Sequence, residues 1–343
     1  MTGPPEGAAG GMGEFALIGR LRRKLAASAG PDIVVGNGDD AAVVEAGEGR
    51  CWVMTCDVQV QGVHFPEGAS GISVGQKALA VNASDVAAMG GTPRYALISL
   101  GVRADTPVAF LDEVYEGINA RAGRWGVAVL GGNVSRTEGP FFIDIFMVGT
   151  VERDRLLLRS GARLGDQILV TGFLGDAAAG LHLLGHPEAK VRDEARTALI
   201  YAQLRPTARV EEGKAVAALK KATAMMDLSD GLAGDLGHLC EASGVGAVVW
   251  EQELPISPAA LELAAAARLR PEEWALYGGE DYQLLLTAPV EAVPALQKAV
   301  REAGALPLTP IGEIVPAGQG LRLKRGEDLL PLRAGGWDHL KDK

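Results

Sequence analysis

The chain has 343 residues, of which 48% are hydrophobic and 22% are charged, and its formal net charge is −10. This length predicts two domains rather than one. The negative charge argues against a general nucleic-acid-binding protein and against a protein that binds anionic membranes, but it allows a nucleotide substrate that arrives with Mg²⁺.

The N-terminal residues and the cysteines point to the cytoplasm. Residues 1–13 are rich in Gly, Pro and Ala and lack the basic start and apolar core of a signal peptide, so we expect a flexible tail. No apolar run approaches the ~20 residues that a membrane helix requires. Cys51, Cys56 and Cys240 have neither zinc-ligand spacing nor the pattern of a disulfide framework, which fits a reducing compartment.

The hydrophobic pattern of the first half predicts a βαβ-like series of elements. Helices are predicted at 14–27, 73–89 and 107–125, and strands at 33–35, 41–44, 51–55, 95–102, 127–130 and 141–151.

The second half has the same mixture of elements. Strands are predicted at 167–171, 222–226, 245–250, 283–287 and 311–315, and helices at 176–184, 189–204, 210–221, 232–243, 257–269 and 290–303. We therefore predict an α+β protein with a tail at 1–13, a first domain at 14–152 and a second domain at 153–343.

Short acidic motifs bounded by glycine or small residues are the most informative feature of the sequence. Carboxylates are costly to bury unpaired, so a fold that gathers several of them needs cations. Oxygen ligands suit Mg²⁺ or Mn²⁺, and Mg²⁺ commonly accompanies substrate phosphates. One such motif alone is typical of a turn, but five of them, most next to apolar runs, favour a metal–phosphate site. The motifs are Gly38-Asp39-Asp40, Thr55-Cys56-Asp57, Asn82-Ala83-Ser84-Asp85, Asp227-Leu228-Ser229-Asp230-Gly231 and Gly278-Gly279-Glu280-Asp281.

Two common nucleotide-binding patterns do not fit. The segment from Gly36 to Ala41 superficially matches a dinucleotide fingerprint, but acids stand where the pyrophosphate would approach and a strand rather than a helix is predicted next. The Gly213-Lys214 pair is followed by Ala215 and lacks the glycine offset of a Walker A motif. Any ATP would therefore be held mainly through metal and loops.

Other positions each have a structural and a functional interpretation. The segment 227–231 could be only a capped helix start, but its negative charge exceeds what capping needs, and helix N-termini also favour phosphate. His64 could be structural or contact a substrate. Arg159 could be a surface charge or hold a phosphate. Trp337 could anchor the C-terminus or form a stacking surface for an aromatic or cationic ligand.

Taken together, these residues resemble the thiamine-monophosphate kinases, which belong to the superfamily of aminoimidazole ribonucleotide synthetase and selenophosphate synthetase. The resemblance covers almost the whole chain after the tail, in matching order and approximate spacing. It is carried by Gly13 to Ile18, Gly38 to Ala41, Gly62 to Phe65, Lys77 to Asn82 with Ser84-Asp85 and Ala87 to Gly90, Arg159 to Ala162, Asp227 to Leu232, Gly278 to Tyr282 and Gly336 to His339.

The resemblance implies a fold, ligands and site residues. It implies two mixed α/β domains with a nucleotide cleft between them, and a homodimer formed by pairing of the N-terminal sheets. The residues that match Mg²⁺ positions are Asp40, Thr55, Cys56, Asp57, Asp85, Asp227 and Asp230, of which Asp57, Asp85 and Asp230 are the catalytic candidates. The residues that match ATP positions are Tyr115, Gly132, Asn133, Arg159 and Ser229, and those that match positions for thiamine monophosphate are His64, Glu280 and Trp337.

Two positions depart from the family pattern. Asn133 replaces the usual aspartate after Gly131-Gly132, which keeps an oxygen ligand but removes a charge and predicts weaker binding of one metal ion. Cys56 replaces a Ser or Thr before Asp57, and a thiol is a poor Mg²⁺ ligand, although its main-chain carbonyl remains available.

The sequence thus predicts a Mg²⁺-dependent kinase that transfers the ATP γ-phosphate directly to thiamine monophosphate. It lacks the reactive N-terminal cysteine expected of selenophosphate synthetase and the terminal cysteine of the hydrogenase-maturation relatives. The alternatives are a non-catalytic binder of nucleotide or thiamine phosphate, disabled at Asn133 and Cys56, and another ATP-dependent enzyme of the superfamily.

Overall fold

Two sheets, one in each half of the chain, carry the candidate residues. The computed structural model describes residues 12–24, 30–333, 335–336 and 340. The first half contains helices α1 (Glu14–Arg22), α2 (Gly71–Ala88) and α3 (Val108–Trp125), and strands β1 (Ile33–Val35), β2 (Ala42–Gly47), β3 (Arg50–Val60), β4 (Thr92–Val102), β5 (Ala128–Arg136) and β6 (Phe142–Glu152).

These six strands form one sheet in the order β1-β2-β3-β6-β4-β5. Neighbouring strands are antiparallel except for β4 and β5, which are parallel and are joined by the crossover helix α3. Strand β5 continues through Gly131 and Gly132 to Arg136, beyond the predicted end at 130. The two glycines obscured the strand signal in the sequence, because glycine is unfavourable inside strands.

The second half forms a sheet of seven strands flanked by helices. Its order is β13-β12-β9-β11-β7-β10-β8, antiparallel except for the β9–β12 pair. The strands are β7 (Gln167–Thr171), β8 (Ala224–Asp227), β9 (Val245–Trp250), β10 (Leu284–Ala288), β11 (Leu308–Pro316), β12 (Leu321–Arg325) and β13 (Asp328–Pro331). The helices are α4 (Asp176–Gly185), α5 (Asp193–Leu204), α6 (Val210–Leu219), α7 (Leu232–Ser243), α8 (Pro258–Ala267), α9 (Pro271–Tyr277) and α10 (Val293–Gly304).

The prediction of mixed α+β structure in both halves is confirmed, with differences near the end of the chain. The β12–β13 hairpin and helix α9 were not predicted. Helix α9 has only seven residues and β13 is a short exposed strand, so neither has a clear apolar period. Strand β12 does alternate apolar and polar residues from Leu321 to Lys324, but over only five residues. No helix within the described ranges is long and apolar enough to cross a membrane.

Helix α2 is the central element of the fold. Nearly all of its residues are buried, because it packs on the first sheet and on α3 and also contacts α6 and β8 of the second half. A helix that is apolar around its whole circumference is expected in such an interior position. The α2–α3 pair is close because both helices have glycines at the contact. A Cβ added at Gly75 would lie 2.0 Å from the Val114 carbonyl oxygen.

The first sheet has one covered face and one exposed face. Helix α2 and the buried residues of alternate strand positions cover the inner face. The outer face exposes large apolar side chains, including Val58 (44% exposed), Tyr95, Leu97 (45%) and Phe146. A contiguous apolar surface of this kind is typical of a protein–protein contact.

The close approach of α2 and α3 generates a prediction about stability. Gly75→Ala should lower the free energy of unfolding by about 1–3 kcal/mol, because the added methyl group meets rigid backbone. Gly123→Ala is the matched control on α3, since its added Cβ meets nothing within 4 Å and alanine favours the helix. Chemical denaturation of both variants measures the difference, and equal stability of the two would contradict the proposed close contact.

Candidate active site

Three predicted metal ligands from distant parts of the chain meet in the interior. Asp40 lies in the loop between β1 and β2, Asp85 lies near the end of α2, and Asp227 ends β8. One carboxylate oxygen from each lies within 4.8 Å of the others. We call these three residues the aspartate cluster.

Hydroxyl groups and one guanidinium position the aspartate cluster. Thr55 Oγ1 donates to Asp85 Oδ2 at 2.6 Å, and Ser84 Oγ donates to Asp227 Oδ2 at 2.5 Å. Arg159 donates to Asp40 Oδ1 from NH2 at 2.6 Å and from Nε at 3.0 Å. The other oxygen, Oδ2 of Asp40, is buried without a hydrogen-bond partner among the described residues.

Two further predicted ligands lie next to the cluster. The side chain of Asp57 is on the inner face of β3, and its main-chain N–H donates to Asn82 Oδ1 at 3.0 Å. Asp230 is in the loop before α7, where its own N–H donates to Asp235 Oδ2 at 3.1 Å. The charge of Asp227 contributes to the raised pKa of Asp57 and to that of Asp230, so both lie within electrostatic reach of the cluster.

Burial disfavours the ionised form of these carboxylates. It raises the pKa of Asp40 to about 8, although Arg159 opposes the rise, and the charge of Asp227 adds to it. Burial, with neighbouring carboxylates, also raises the pKa of Asp57 to about 6 and of Asp230 to about 7, and it raises the pKa of Asp85 well above its usual range. The all-oxygen donor set and the orphaned oxygen of Asp40 therefore fit hard divalent cations such as Mg²⁺.

A second polar group surrounds Glu280, a predicted substrate residue. Lys77 is almost completely buried on α2, and its Nζ lies 2.6 Å from Glu280 Oε1 and donates to the His64 carbonyl oxygen at 2.8 Å. Gln203 Nε2 donates to the other Glu280 oxygen. His64 Nδ1 accepts from the Val60 N–H at 3.0 Å. The structure thus brings His64 and Glu280, far apart in sequence, to the same lysine.

The loop that carries Glu280 has an unusual backbone. Gly279, Glu280 and Tyr282 all have positive φ angles, of 69°, 59° and 47°. The Glu280 N–H donates to the Ser229 carbonyl at 2.7 Å and the Tyr282 N–H donates to the Leu228 carbonyl at 2.8 Å. Non-glycine residues in this region persist only where the surroundings hold them, and they occur often at functional sites. The two loops with the motifs at 227–231 and 278–281 are therefore fixed against each other.

Three of the predicted ATP residues lie away from the aspartate cluster in the structure. Tyr115, Gly132 and Asn133 line an open cavity of about 480 Å³ beside the edge strand β5. In the sheet, Gly132 on β5 is aligned with Ile98 on β4, which is aligned with Ile145 on β6 and through it with Asp57 on β3. Gly132 and Asp57 are therefore three strands apart. At ~4.8 Å per strand, this separation is about 14 Å. The fold of the chain therefore does not bring these residues into the aspartate cluster.

Asn133 and Cys56 are on the outer side of the first sheet. Asn133 is aligned with Ser99 and Asp144, and its Nδ2 donates to Ser135 Oγ at 3.3 Å. The Cys56 thiol is exposed, whereas Asp57 beside it faces inward, because side chains alternate along a strand. The thiol therefore does not point to the aspartate cluster, and only the main chain of Cys56 could take part there.

Trp337 lies outside the described residues, so its role stays a prediction. The chain just before it does reach the site, since a Cβ added at Gly336 would lie 2.4 Å from the Asp230 carbonyl oxygen. Several contributors received no individual role from the sequence: Lys77, Asn82 and Ser84, which lie within the motifs named above, and Gln203. The available signal was a series of polar residues at 77, 82 and 84 within an otherwise apolar helix.

Comparison with known proteins shows the family. Residues 38–151 match the N-terminal domain and residues 163–324 the C-terminal domain of AIR synthase related proteins. The chain is 41% identical to the thiamine-monophosphate kinase of Aquifex aeolicus (strain VF5) over 82% of this chain and 87% of that protein. It is 36% identical to the thiamine-monophosphate kinase of Escherichia coli (strain K12) over 95% of this chain and 98% of that protein. The chain belongs to the thiamine-monophosphate kinase family.

A solved structure extends the likeness to three dimensions. The structure described as AaThiL complexed with AMPPCP and TMP is 37% identical, covers 98% of this chain and 100% of its own, and has a TM-score of 0.83. The two-domain fold expected from the resemblance to thiamine-monophosphate kinases is therefore confirmed.

The aspartate cluster predicts an unusual response to mutation in this member of the thiamine-monophosphate kinase family. Without divalent metal, Asp85→Asn should raise the melting temperature, because it removes a buried negative charge while keeping an oxygen for Thr55. An uncompensated buried charge costs several kcal/mol and each kcal/mol is worth about 2–4 °C, so we expect a rise of at least about 4 °C. Adding Mg²⁺ should stabilise the wild type more than Asp85→Asn.

The control for this thermal measurement is Asp112→Asn, which makes the same change at an exposed position of α3. Its melting temperature should follow the wild type with and without Mg²⁺. A fall in the metal-free melting temperature of Asp85→Asn would show that repulsion between the carboxylates of the cluster does not destabilise the fold.

Proposed function

We propose that this protein is a Mg²⁺-dependent kinase that transfers the γ-phosphate of ATP directly to thiamine monophosphate, giving thiamine diphosphate and ADP. The observation that carries the proposal is the full-length match to a thiamine-monophosphate kinase structure with AMPPCP and TMP. The buried aspartate cluster supports it, since an anion-rich interior suits a reaction between two phosphates only when cations are present.

The chemistry requires positioning more than proton transfer. The acceptor phosphate is already largely anionic near pH 7, because the second pKa of such phosphates lies near ~6. A strong general base is therefore unnecessary, and catalysis rests on in-line placement and stabilisation of charge. No phosphoenzyme is needed for direct transfer.

The metal ligands in this proposal are Asp40, Asp57, Asp85, Asp227 and Asp230, with the Thr55 hydroxyl and the main chain of Cys56. Bound Mg²⁺ would neutralise phosphate charge and orient the two phosphates for transfer. The protein's own part is to hold the carboxylates: Thr55 and Ser84 fix two of them, and Arg159 keeps Asp40 oriented.

The substrate residues divide between the two ligands. Arg159 and Ser229 lie on the phosphate side of the ATP site, and Tyr115, Gly132 and Asn133 form a separate part of it beside β5. His64 and Glu280, held by Lys77, bind the thiamine monophosphate, whose thiazolium cation suits a carboxylate. Trp337 would contribute an aromatic face to the same cation.

The protein would act as a homodimer. The apolar outer face of the first sheet, with Val58, Tyr95, Leu97 and Phe146, supports this proposal because it is too apolar to be left open to water. The same face also carries Asn133, so pairing of two such faces would change the surroundings of that residue.

The aspartates give the first prediction of this proposal. Asp57→Ala and Asp85→Ala should each reduce formation of thiamine diphosphate by orders of magnitude, because each removes charge from the proposed metal site. The assay combines ATP, thiamine monophosphate and saturating Mg²⁺, with Asp112→Ala as an exposed control. Near-normal turnover of either variant would rule out the proposed metal site. If the wild-type protein binds ATP and thiamine monophosphate but forms no thiamine diphosphate, the non-catalytic alternative is favoured.

Asn133 gives the second prediction. If it is a weakened metal position, Asn133→Asp should lower the Mg²⁺ concentration that gives half-maximal rate. Asn133→Ser is the matched control, because serine offers an oxygen without a charge. A Mg²⁺ dependence that stays fixed or moves upward in Asn133→Asp would show that Asn133 is not a deficient ligand.

A further inference from the structure

A cavity of about 330 Å³ between the two halves of the chain is lined by three arginines. Arg121 comes from α3 in the first half, while Arg205 and Arg209 come from the segment that links α5 to α6. Its other walls include the loop after β7 and the loop before β10.

These arginines have neutral partners. Arg121 donates from NH2 to the carbonyl oxygens of Arg205 (3.0 Å) and Pro206 (3.1 Å), and Arg209 Nε donates to Gln283 Oε1 at 2.8 Å. Arg205 Nε donates to a serine hydroxyl on α2 at 2.8 Å. Within the described part of the chain, none of the three guanidinium groups has a carboxylate oxygen within 4.0 Å.

One donor in this group is unsatisfied within the described part of the chain. Nε of Arg121 is buried and has no hydrogen-bond partner among the described residues. Burial lowers the pKa of Arg121, and the charges of Arg124, Arg205 and Arg209 add to this effect. An unsatisfied buried donor is costly. A negatively charged ligand in the cavity would offset the positive charge, and one that also accepts from Nε would relieve both unfavourable contributions.

The nearby carboxylates offset this charge only in part. Asp281 and Asp176 also line the cavity. Asp281 accepts from the Gly175 N–H at 2.8 Å, and burial raises its pKa to about 7. Asp176 accepts from the Ser257 hydroxyl at 2.6 Å. Both are thus held by the start of α4 and its surroundings rather than by the arginines.

The cavity differs from the proposed acceptor site in charge and in wall residues. Glu280, on the acceptor side, contacts Lys77 and Gln203, whereas its neighbour Asp281 contacts the start of α4. A thiazolium cation would be repelled by three arginines. Guanidinium groups instead match phosphate, to which they can donate two parallel hydrogen bonds. Tyr201, over which Arg205 lies at 4.7 Å, adds an aromatic wall.

We propose that this cavity is a second anion site, which binds a phosphate or diphosphate group and is separate from the kinase site. The ligand would be either an inorganic anion or a small phosphate ester, since both present the same oxygens to the arginines.

The test is calorimetric titration of the full chain with inorganic pyrophosphate in the presence of EDTA. Without metal the aspartate cluster repels anions, which disfavours binding at the kinase site, and loss of binding in the arginine variants assigns the signal to the cavity. The measurement does not depend on the proposed kinase activity. Arg209→Gln and Arg121→Gln should each weaken binding at least about tenfold, because each removes a charged donor. Arg301→Gln is the matched control, since Arg301 is exposed on α10.

A second variant protects the test against misfolding of the arginine mutants. Ala202 lines the cavity on α5, and Ala202→Phe would fill the space without changing charge, so it should also abolish binding. A parallel titration with AMP distinguishes the two ligand classes. If AMP binds more tightly than pyrophosphate, the cavity is assigned to a phosphate ester, and if AMP binds more weakly, it is assigned to a diphosphate group. Absence of saturable pyrophosphate and AMP binding to the wild type, or binding unaffected by Arg209→Gln and Ala202→Phe, would overturn the proposal.

Discussion

Repulsion between buried carboxylates is the constraint on which the organisation of this protein depends. Asp40, Asp85 and Asp227 converge from three elements, and among the described residues only Arg159 brings a cation within 4.0 Å of them. Hydroxyl donors from Thr55 and Ser84 fix the oxygens without cancelling their charge. The fold therefore holds in place a negative site whose balance must come from its ligands, which is suited to a reaction in which metal and nucleotide enter together.

The neighbouring lysine illustrates the opposite arrangement. Lys77 and Glu280 form a pair in which the buried ammonium also has a carbonyl partner, so that charge is compensated within the protein. A compensated carboxylate keeps its position before a substrate arrives. The two polar clusters thus differ in kind: the charge of the aspartate cluster is left uncompensated, while Glu280 is preorganised by Lys77.

Much of this arrangement could be predicted from the sequence. The acidic motifs and their family resemblance identified Asp40, Asp85 and Asp227, because each lies in a short acidic motif bounded by glycine or small residues. The partners of these residues could not be predicted so well, since Gln203 meets Glu280 only through tertiary packing. The outward direction of Cys56 follows from strand alternation once β3 is known to run from Arg50 to Val60, but the strand predicted from the sequence ended at 55.

The central helix has a consequence for how the chain unfolds. Ala88, at the end of α2, packs in a core with Leu169 and Val216 of the second half, while Val210 of α6 packs in the core of the first half. Each of these two cores therefore contains residues from the other half of the chain. The two halves are not independent units that can be lost one at a time, and loosening of either would expose apolar surface in both. The packing of α2 against α6 thus favours cooperative unfolding of the two halves.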